Sequence, residues 1–179
     1  QPHTVVFEAF MGKRYACSPK ALYEAMMEDP AYRDWKKIWA FRNPEKYHFL
    51  KEKKNTQVVA YRKKAYYRAY GEAAYWITNS RLPRELKPKK QEGSLREVRD
   101  NYLQESRRVT HMPSPSPFYS EKMCSAFHLK ELGKEKVLLE LGYPRNDVLY
   151  RTSKAECKRF REKLGISKEK KVILYAPTW

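Results

Sequence analysis

The loop Gly142–Asp147 carries the residues of the chain that are best suited to bind a charged ligand. It places a guanidinium, an amide and a carboxylate (Arg145, Asn146 and Asp147) directly after a predicted buried strand. A guanidinium can donate two parallel hydrogen bonds to a phosphate. The spacing leaves two interpretations open: Arg145 binds a phosphate, or it pairs with Asp147 and holds the loop.

Signatures of nucleotide-binding and metalloenzymes are absent from the sequence. It has no glycine-rich dinucleotide motif, no Walker A loop and no HExxH pair. The histidines have no cysteine or serine partner at a recognisable spacing, which favours structural or surface roles; they are His3, His48, His111 and His128. The three cysteines (Cys17, Cys124 and Cys157) form no CxxC pair, which argues against a disulfide framework or a zinc site and fits a reducing cytosol. We therefore predict no metal and no cofactor.

Apolar runs alternate with amphipathic segments along the chain. Strands are predicted over residues 4–10, 37–41, 57–61, 74–79, 108–112, 137–141 and 171–176. Helices are predicted over residues 20–28, 63–72, 95–107, 117–127 and 154–164. This alternation is typical of an α/β, Rossmann-like domain with a mainly parallel sheet. Ligands of such domains bind beyond the carboxyl ends of the strands, so we expect the site in loops 79–83, 113–116, 142–147 and 177–179.

Composition excludes several classes of protein and favours an anionic partner. The 179 residues are 41% hydrophobic, which supports a packed core and argues against a disordered chain. There are 38 basic and 21 acidic residues, a net charge of +17, which attracts nucleic acid, anionic lipid or a phosphate polymer. No apolar run reaches the roughly 18 residues of a membrane-spanning helix, and the first residues lack a signal-peptide pattern.

Aromatic and basic residues are interleaved in the segment Tyr61–Tyr70. Such a segment can lie among lipid headgroups or stack on bases. It can equally pack its tyrosines against the sheet and keep its cations outside, because Lys63 lies between Tyr66 and Tyr70 on a helical wheel. Both interpretations stay open from the sequence.

Two features indicate that the chain is interrupted. It stops at Trp179, directly after a predicted strand and without a following helix. In addition, the polar stretch Lys87–Ser94 leads into a helix where an apolar strand would be expected. We expect either a fragment or a chain from which internal residues are missing.

Five segments in this order resemble the CDP-glycerol glycerophosphotransferase family, which includes the wall teichoic acid primases and polymerases of Gram-positive cell wall biogenesis. They are Phe7–Pro19, Tyr75–Pro83, Ser114–Ser120, Gly142–Asp147 and Val172–Trp179. The resemblance covers most of the chain. Its most specific part is Gly-Tyr-Pro-Arg-Asn-Asp, followed at residues 176–179 by Ala-Pro-Thr-Trp.

The resemblance implies a GT-B-like enzyme of two Rossmann-type domains with the active site between them. Residues 1–171 would form the N-terminal, acceptor-side domain, and residues 172–179 would begin the linker to the nucleotide domain. Substrate-binding residues implied by the family pattern are Arg145, Thr178 and Trp179 beside the CDP-alcohol, with Asn146, Asp147, Asn79 and Arg81 in the same cleft.

One departure from the family pattern concerns the catalytic base. The family carries a Trp-His-Gly-Thr-Pro-Leu-Lys segment after the Pro-Lys-Lys that matches Pro88–Lys90, and its histidine is implied to deprotonate the acceptor hydroxyl. Here Gln91 follows Lys90 directly. The chain as written should therefore be inactive: it is an isolated or degenerate domain, or residues are missing between Lys90 and Gln91. We favour the second explanation, because the missing strand independently indicates a break at this point.

The function implied by the resemblance is transfer of glycerol phosphate or ribitol phosphate from a CDP-alditol to a teichoic acid acceptor linked to undecaprenyl diphosphate, with release of CMP. The enzyme would attach peripherally to the anionic cytoplasmic face of the membrane and would not bind nucleic acid. The alternative is a catalytically inactive basic domain that binds polyanions, either nucleic acid or an anionic membrane surface.

Overall fold

The computed structural model describes residues 1–80 and 95–173. The chain divides into two compact units, residues 1–145 and residues 146–179. Within the described ranges, no helix combines the length and the apolar character needed to cross a membrane.

The first unit is built on a parallel sheet of four strands. They are β1 (Thr4–Glu8), β2 (Lys36–Phe41), β3 (Thr56–Ala60) and β4 (Tyr75–Thr78). Their order is β3-β2-β1-β4, and every neighbouring pair is parallel. The carboxyl ends of all four strands therefore lie at one edge of the sheet. The predictions of these four strands, and of an α/β fold with a mainly parallel sheet, are confirmed.

Helices cover both faces of this sheet. The chain crosses from β1 to β2 through α1 (Cys17–Glu28), which starts earlier than the predicted residue 20, and from β3 to β4 through α2 (Lys64–Glu72). On one face, Tyr23 of α1 packs with Phe7 and Trp39. On the other face, Tyr66 of α2 packs with Val6. Since both faces are covered, the central strands are continuous apolar runs, as is usual in parallel sheets.

The segment Tyr61–Tyr70 could either present its tyrosines to lipid or bases or pack them against the sheet, and the structure distinguishes the two. Tyr66 and Tyr70 are buried, and each hydroxyl donates a 2.9 Å hydrogen bond to Oε2 of the buried Glu8. Arg62 and Lys63 of the same segment are exposed. The prediction of tyrosines against the sheet with cations outside is thus confirmed for these residues.

The later part of the first unit does not extend the main sheet among the described residues. It contains α3 (Leu95–Arg108), α4 (Pro117–Ala126) and a separate pair of short parallel strands, β5 (Met112–Pro113) and β6 (Leu138–Leu139). The predicted strand over 108–112 is wrong up to residue 111, because α3 continues to Arg108 and Lys134 Nζ donates to three carbonyl oxygens at its end. The predicted strand over 137–141 shrinks to two residues, because Val137 still belongs to a 3-10 turn.

The second unit contains two helices, α5 (Val148–Arg151) and α6 (Lys154–Lys163). The predicted capping box of α6 is confirmed: Glu156 N donates to Ser153 Oγ, and Ser153 N donates to Glu156 Oε2. The predicted strand over 171–176 is not formed at residues 171–173, which have no strand partner within the described part of the chain; residues 174–176 lie outside it. The predicted domain boundary at 171/172 stays a prediction.

Candidate functional site

The loop after β1 meets the loop after β4 at the carboxyl edge of the sheet. Phe10 N donates to Asn79 Oδ1 at 2.8 Å, and Met11 N donates to Ser80 Oγ at 3.0 Å. Phe10 and Met11 have φ values of 51° and 54°. This left-handed conformation costs a side-chain-bearing residue about 1–2 kcal/mol. The two hydrogen bonds stabilise it, so Asn79 fixes the shape of the loop at this edge.

Gly12 lets the same loop approach the end of β2. Its φ is 74°, and a Cβ atom here would lie 3.1 Å from the Tyr61 ring and 3.2 Å from Arg42 N. Arg42 N in turn donates to Gly12 O at 2.7 Å, and Arg42 Nε donates to Met11 O at 2.9 Å. A larger residue at position 12 would have to push the loop away from β2.

Arg145 lies beside the first residue of α1. Its Nη1 donates to Cys17 Sγ at 3.3 Å, and its guanidinium carbon lies 4.8 Å from the centre of the Tyr143 ring. Tyr143 in turn meets the ring of Tyr119 edge-on at 6.3 Å. Cys17 is the one hydrogen-bond partner of this guanidinium within the described part of the chain. The remaining N–H groups can bind an external anion.

The electrostatics of Cys17 and Arg145 depend on each other. Burial raises the pKa of the Cys17 thiol, but hydrogen bonds from Arg145, Asn79 and the Ser18 backbone, with the Arg145 charge, outweigh burial and hold this pKa below its ordinary value. The hydrogen bond to Cys17 likewise raises the pKa of Arg145. The thiolate form of Cys17 is therefore stabilised relative to that of a free cysteine, and the hydrogen bond orients the guanidinium.

Of the predicted site residues, Asn79 and Arg145 come together, and Cys17 connects them. We call Asn79, Cys17, Tyr143 and Arg145 the arginine cluster. Arg81, Thr178 and Trp179 lie outside the described residues, as do Lys90 and Gln91.

Asn146 and Asp147 open the second unit, where Asp147 O accepts hydrogen bonds from the backbone of α5. The substrate-binding roles predicted for all these residues stay predictions.

Sequence reasoning missed Cys17 and Tyr143 as members of the site. Cys17 and Arg145 are 128 residues apart, so no local spacing joins them. The available signal was their position within two of the family-like segments, Phe7–Pro19 and Gly142–Asp147.

The arginine cluster can bind an anion, but it contains no histidine that could accept a proton. The histidines make their contacts elsewhere: His3 stacks on Trp35, His48 contacts Glu45 O, His111 contacts Thr110 and His128 faces Glu131. Across residues 1–80 and 95–173, no group of three or more His, Cys, Asp or Glu side chains could hold a metal ion. The arginine cluster can orient an anionic group and stabilise its charge through Arg145.

A family model described as CDP-glycerol:poly(glycerophosphate) glycerophosphotransferase matches the chain over residues 1–96 and 86–179. The teichoic acid poly(glycerol phosphate) polymerase of Staphylococcus epidermidis is 32% identical over 210 residues, which cover 100% of this chain and 27% of that protein. The polymerase of the same name from Bacillus spizizenii is 33% identical, over 98% of this chain and 49% of its own length.

Solved structures of the wall teichoic acid polymerase TagF show the same fold. One superposes with a TM-score of 0.80 at 31% identity and covers 100% of this chain and 48% of its own. A histidine variant of TagF soaked with CDPG gives the same TM-score at 32% identity. The chain thus has the fold of about half of a GT-B-like polymerase, as predicted. It spans from about a quarter to about half of the length of these relatives.

The alignments also locate an internal difference from the relatives. The alignment with the S. epidermidis polymerase is longer than the 179 residues of this chain, so the relative has residues that this chain lacks. The two family matches overlap at residues 86–96, which includes the Lys90–Gln91 junction. The family pattern nevertheless extends from the first to the last residue, and the chain belongs to the CDP-glycerol:poly(glycerophosphate) glycerophosphotransferase family.

Proposed function

We propose that the protein is a teichoic acid glycerol-phosphate transferase, which moves glycerol phosphate from CDP-glycerol to a hydroxyl of a teichoic acid acceptor and releases CMP. The observation that carries the proposal is the family pattern along the whole chain. The names of the relatives and the TagF structure soaked with CDPG support the donor and the polymer.

Finer parts of the proposal concern the second donor, the acceptor lipid and the place of action. Ribitol phosphate from CDP-ribitol is the alternative group transferred, and undecaprenyl diphosphate is the carrier proposed for the acceptor. The net charge of +17 supports peripheral attachment to an anionic membrane surface, at its cytoplasmic face. It equally suits an acceptor that is a chain of phosphodiesters.

In this reaction the acceptor oxygen attacks the phosphorus that carries glycerol. A new P–O bond forms, the bond to the bridging oxygen of CMP breaks, and CMP leaves with the bonding electron pair. The acceptor proton passes to a general base. Such transfers depend mainly on positioning and on stabilising the charge of the phosphoryl oxygens. Arg145, held by Cys17 and Tyr143, is the residue we propose for that stabilisation.

The general base is not supplied by the arginine cluster. The family segment that would supply a histidine is absent from the sequence after Lys90. We therefore propose that the 179-residue chain alone does not complete the transfer. Its contribution would be the acceptor-side half of the cleft, including Arg145.

A second candidate function is an inactive basic domain that binds polyanions. The missing segment and the net charge of +17 favour it. It predicts salt-dependent binding without any release of CMP.

The test is CMP release by the full-length protein encoded by the gene, supplied with CDP-glycerol or CDP-ribitol, with and without lipid-linked acceptor. We expect release with CDP-glycerol that requires the acceptor. The control is a relative such as the B. spizizenii polymerase, which should consume the same acceptor. If the control is active but neither donor gives CMP release with this protein, the inactive polyanion-binding domain is the better description.

The role of Arg145 is tested in the same assay. Arg145→Ala should lower turnover about tenfold or more, because the charge of the transferred group loses a preorganised donor. Arg145→Lys, which keeps the charge without the planar fork, should recover part of the loss. Arg33→Ala is the control, since Arg33 is exposed before β2, at the opposite edge of the sheet. Unchanged turnover in Arg145→Ala would refute this role.

A further inference from the structure

Exposed cations follow three neighbouring strands at the carboxyl edge of the main sheet. We call them the basic edge: Lys13 and Arg14 after β1, Arg42 and Lys46 after β2, and Arg62 and Lys63 after β3. Neighbouring strands are about 4.8 Å apart, so the three loops span about 10 Å. The arginine cluster lies over β1 and β4, and the basic edge extends from it towards β3.

Contacts with Tyr61 hold the central part of the basic edge in place. The guanidinium carbons of Arg42 and Arg62 lie 5.1 and 5.3 Å from the centre of the Tyr61 ring. Arg42 Nε donates to Met11 O, and this is the one hydrogen bond of the Arg42 side chain within the described residues. Its two terminal nitrogens are therefore available to an external acceptor. A guanidinium held in this way loses little conformational freedom when it binds a phosphate.

Three cations of this surface lack an acidic partner among the described residues. In the part of the chain that the structure describes, Lys13, Arg14 and Arg42 form no ion pair with a carboxylate. Glu8 lies beneath the loops, but it is buried and accepts hydrogen bonds from Tyr66 and Tyr70. Lys13, Arg14 and Arg42 therefore present positive charge that no described carboxylate pairs with, next to the arginine cluster.

We propose that the basic edge binds the phosphodiester chain of the acceptor, with successive phosphates on Arg42 and Arg62 and on Lys13 or Arg14. This inference rests on the proposed function, which makes a poly(glycerol phosphate) chain the acceptor. It adds where the chain lies: from the arginine cluster across β1 and β2 towards β3. The growing end would reach the cluster, and the units behind it would lie on the basic edge.

A phosphodiester chain without bases fits this surface better than nucleic acid does. Binding to single-stranded nucleic acid combines cations with aromatic rings that stack on the bases. Tyr61, the ring in the middle of the basic edge, is already in contact with two guanidiniums and the Tyr66 ring. Phe10 and Phe49, each 41% exposed, are the neighbouring rings that a base could use.

The experiment measures binding of poly(glycerol phosphate) oligomers of increasing length to the purified chain, by titration calorimetry at several salt concentrations. Affinity should rise with length until the oligomer covers the basic edge. Arg42→Gln/Arg62→Gln should weaken binding about tenfold at low salt and reduce the slope of log K against log salt by about 1.4, from about 0.7 for each phosphate contact. Lys13→Gln/Arg14→Gln should also weaken binding. These two side chains make no hydrogen bond to a described residue, so this variant should fold normally even if the first double variant misfolds.

The matched control is Arg33→Gln/Lys54→Gln, which removes the same charge from exposed positions before β2 and β3, at the opposite edge of the sheet. It should change affinity less than twofold. Equal losses in control and test variants, or no length dependence, would overturn the proposal. A single-stranded oligonucleotide of equal charge that binds more tightly, and loses affinity in Phe10→Ala or Phe49→Ala, would overturn it in favour of nucleic acid.

This binding assay is independent of catalysis. Selective binding by the basic edge without CMP release from the full-length protein would refute the proposed function alone. CMP release with an acceptor KM that is unchanged in Arg42→Gln/Arg62→Gln would refute the basic edge alone.

Discussion

The orientation of Arg145 depends on its hydrogen bond to the Cys17 thiol. A thiolate accepts a hydrogen bond from a guanidinium far better than a thiol does. Cys17 and Arg145 therefore stabilise each other's charged forms, and the Tyr143 ring limits the positions of the guanidinium. An arginine held on two sides is a better electrostatic catalyst than a mobile one, because it needs no reorganisation when charge develops.

The pKa of Cys17 tests this arrangement without any substrate. In a chain with Cys124→Ser and Cys157→Ser, the pH dependence of iodoacetamide alkylation should give a Cys17 pKa below its ordinary value of 9.0. Arg145→Gln should raise that pKa. Burial, the largest influence on the thiol, raises the pKa, and the variant loses the charge of Arg145 that opposes it. Arg33→Gln should leave the pKa unchanged. A Cys17 pKa that does not respond to Arg145→Gln would contradict the contact.

Sequence reasoning found single residues of the site but not their partners. Arg145 and Asn79 were predicted from the family-like segments and from their position after strands. Cys17 was weighed only as a possible zinc ligand or disulfide partner. No local spacing relates it to Arg145, which is 128 positions away. Contacts of this kind depend on the tertiary fold, which local patterns do not encode.

At the level of elements, β1 ends on a buried carboxyl group. Glu8 is 1% exposed and accepts two tyrosine hydroxyls of α2, which attaches that helix to the strand. Burial raises the pKa of Glu8, against the opposing effects of Tyr70, Tyr66, Arg62 and Arg42. The folded state thus binds this proton more tightly than the unfolded state does, and stability falls as pH rises from about 4.5 through the raised pKa.

Glu8→Gln should remove this loss of stability. The amide oxygen can still accept from Tyr66 and Tyr70, so the variant should match the parent below pH 4.5, the ordinary pKa of the carboxyl. Above it, the free energy of unfolding of the variant should exceed that of the parent by about 1.4 kcal/mol for each pH unit up to the raised pKa. Urea unfolding at a series of pH values measures the difference.

Glu72→Gln is the control of opposite sign for this series. The hydrogen bond and charge of Arg68 hold the pKa of Glu72 low. Replacing the Glu72 carboxylate by an amide should therefore not stabilise the chain at neutral pH. If Glu8→Gln is instead less stable than the parent at neutral pH, the carboxylate contributes more through its hydrogen bonds than burial costs.

The strands of the first half were predictable, and those of the second half were not. The central strands β1 and β2 are largely apolar runs that are covered on both faces, and β3 and β4 pair with them at the two sides of the sheet. In residues 108–112 only Val109 and Met112 are apolar, α3 ends at Arg108, and Lys134 binds carbonyl groups at that end. A strand forms only where a neighbour supplies hydrogen bonds, and a single sequence does not show which neighbours exist.

The two units of the whole molecule differ in what stabilises them. Among the residues whose burial the structure describes, all buried hydrophobic ones lie between Val5 and Val137. In the second unit, every described residue from 146 to 173 is at least partly exposed. A helix as short as α6 has marginal stability without packing, so its capping box is an important part of what keeps it formed.

A chain that ends at residue 147 should therefore unfold at nearly the same temperature as the full chain. Loss of about 1 kcal/mol would lower Tm by about 2–4 °C, and we expect a smaller change than that. Scanning calorimetry of both chains under the same buffer conditions measures it, with near-ultraviolet circular dichroism as a check on the aromatic core. A fall in Tm of about 10 °C would mean that the second unit contributes to the stability of the first.

The left-handed turn at Phe10 and Met11 has a consequence for how the family can vary. Asn79 holds one side of this turn and Arg42 holds the other. Asn79 belongs to the arginine cluster, and Arg42 belongs to the basic edge. If a substitution of Asn79 lets the turn relax, the hydrogen bond from Arg42 to the same turn is weakened too, and the converse holds for a substitution of Arg42. The effects of substitutions at the two positions should therefore not add. Substitutions in the arginine cluster and in the basic edge should therefore be epistatic, because both regions are joined through the same few backbone atoms.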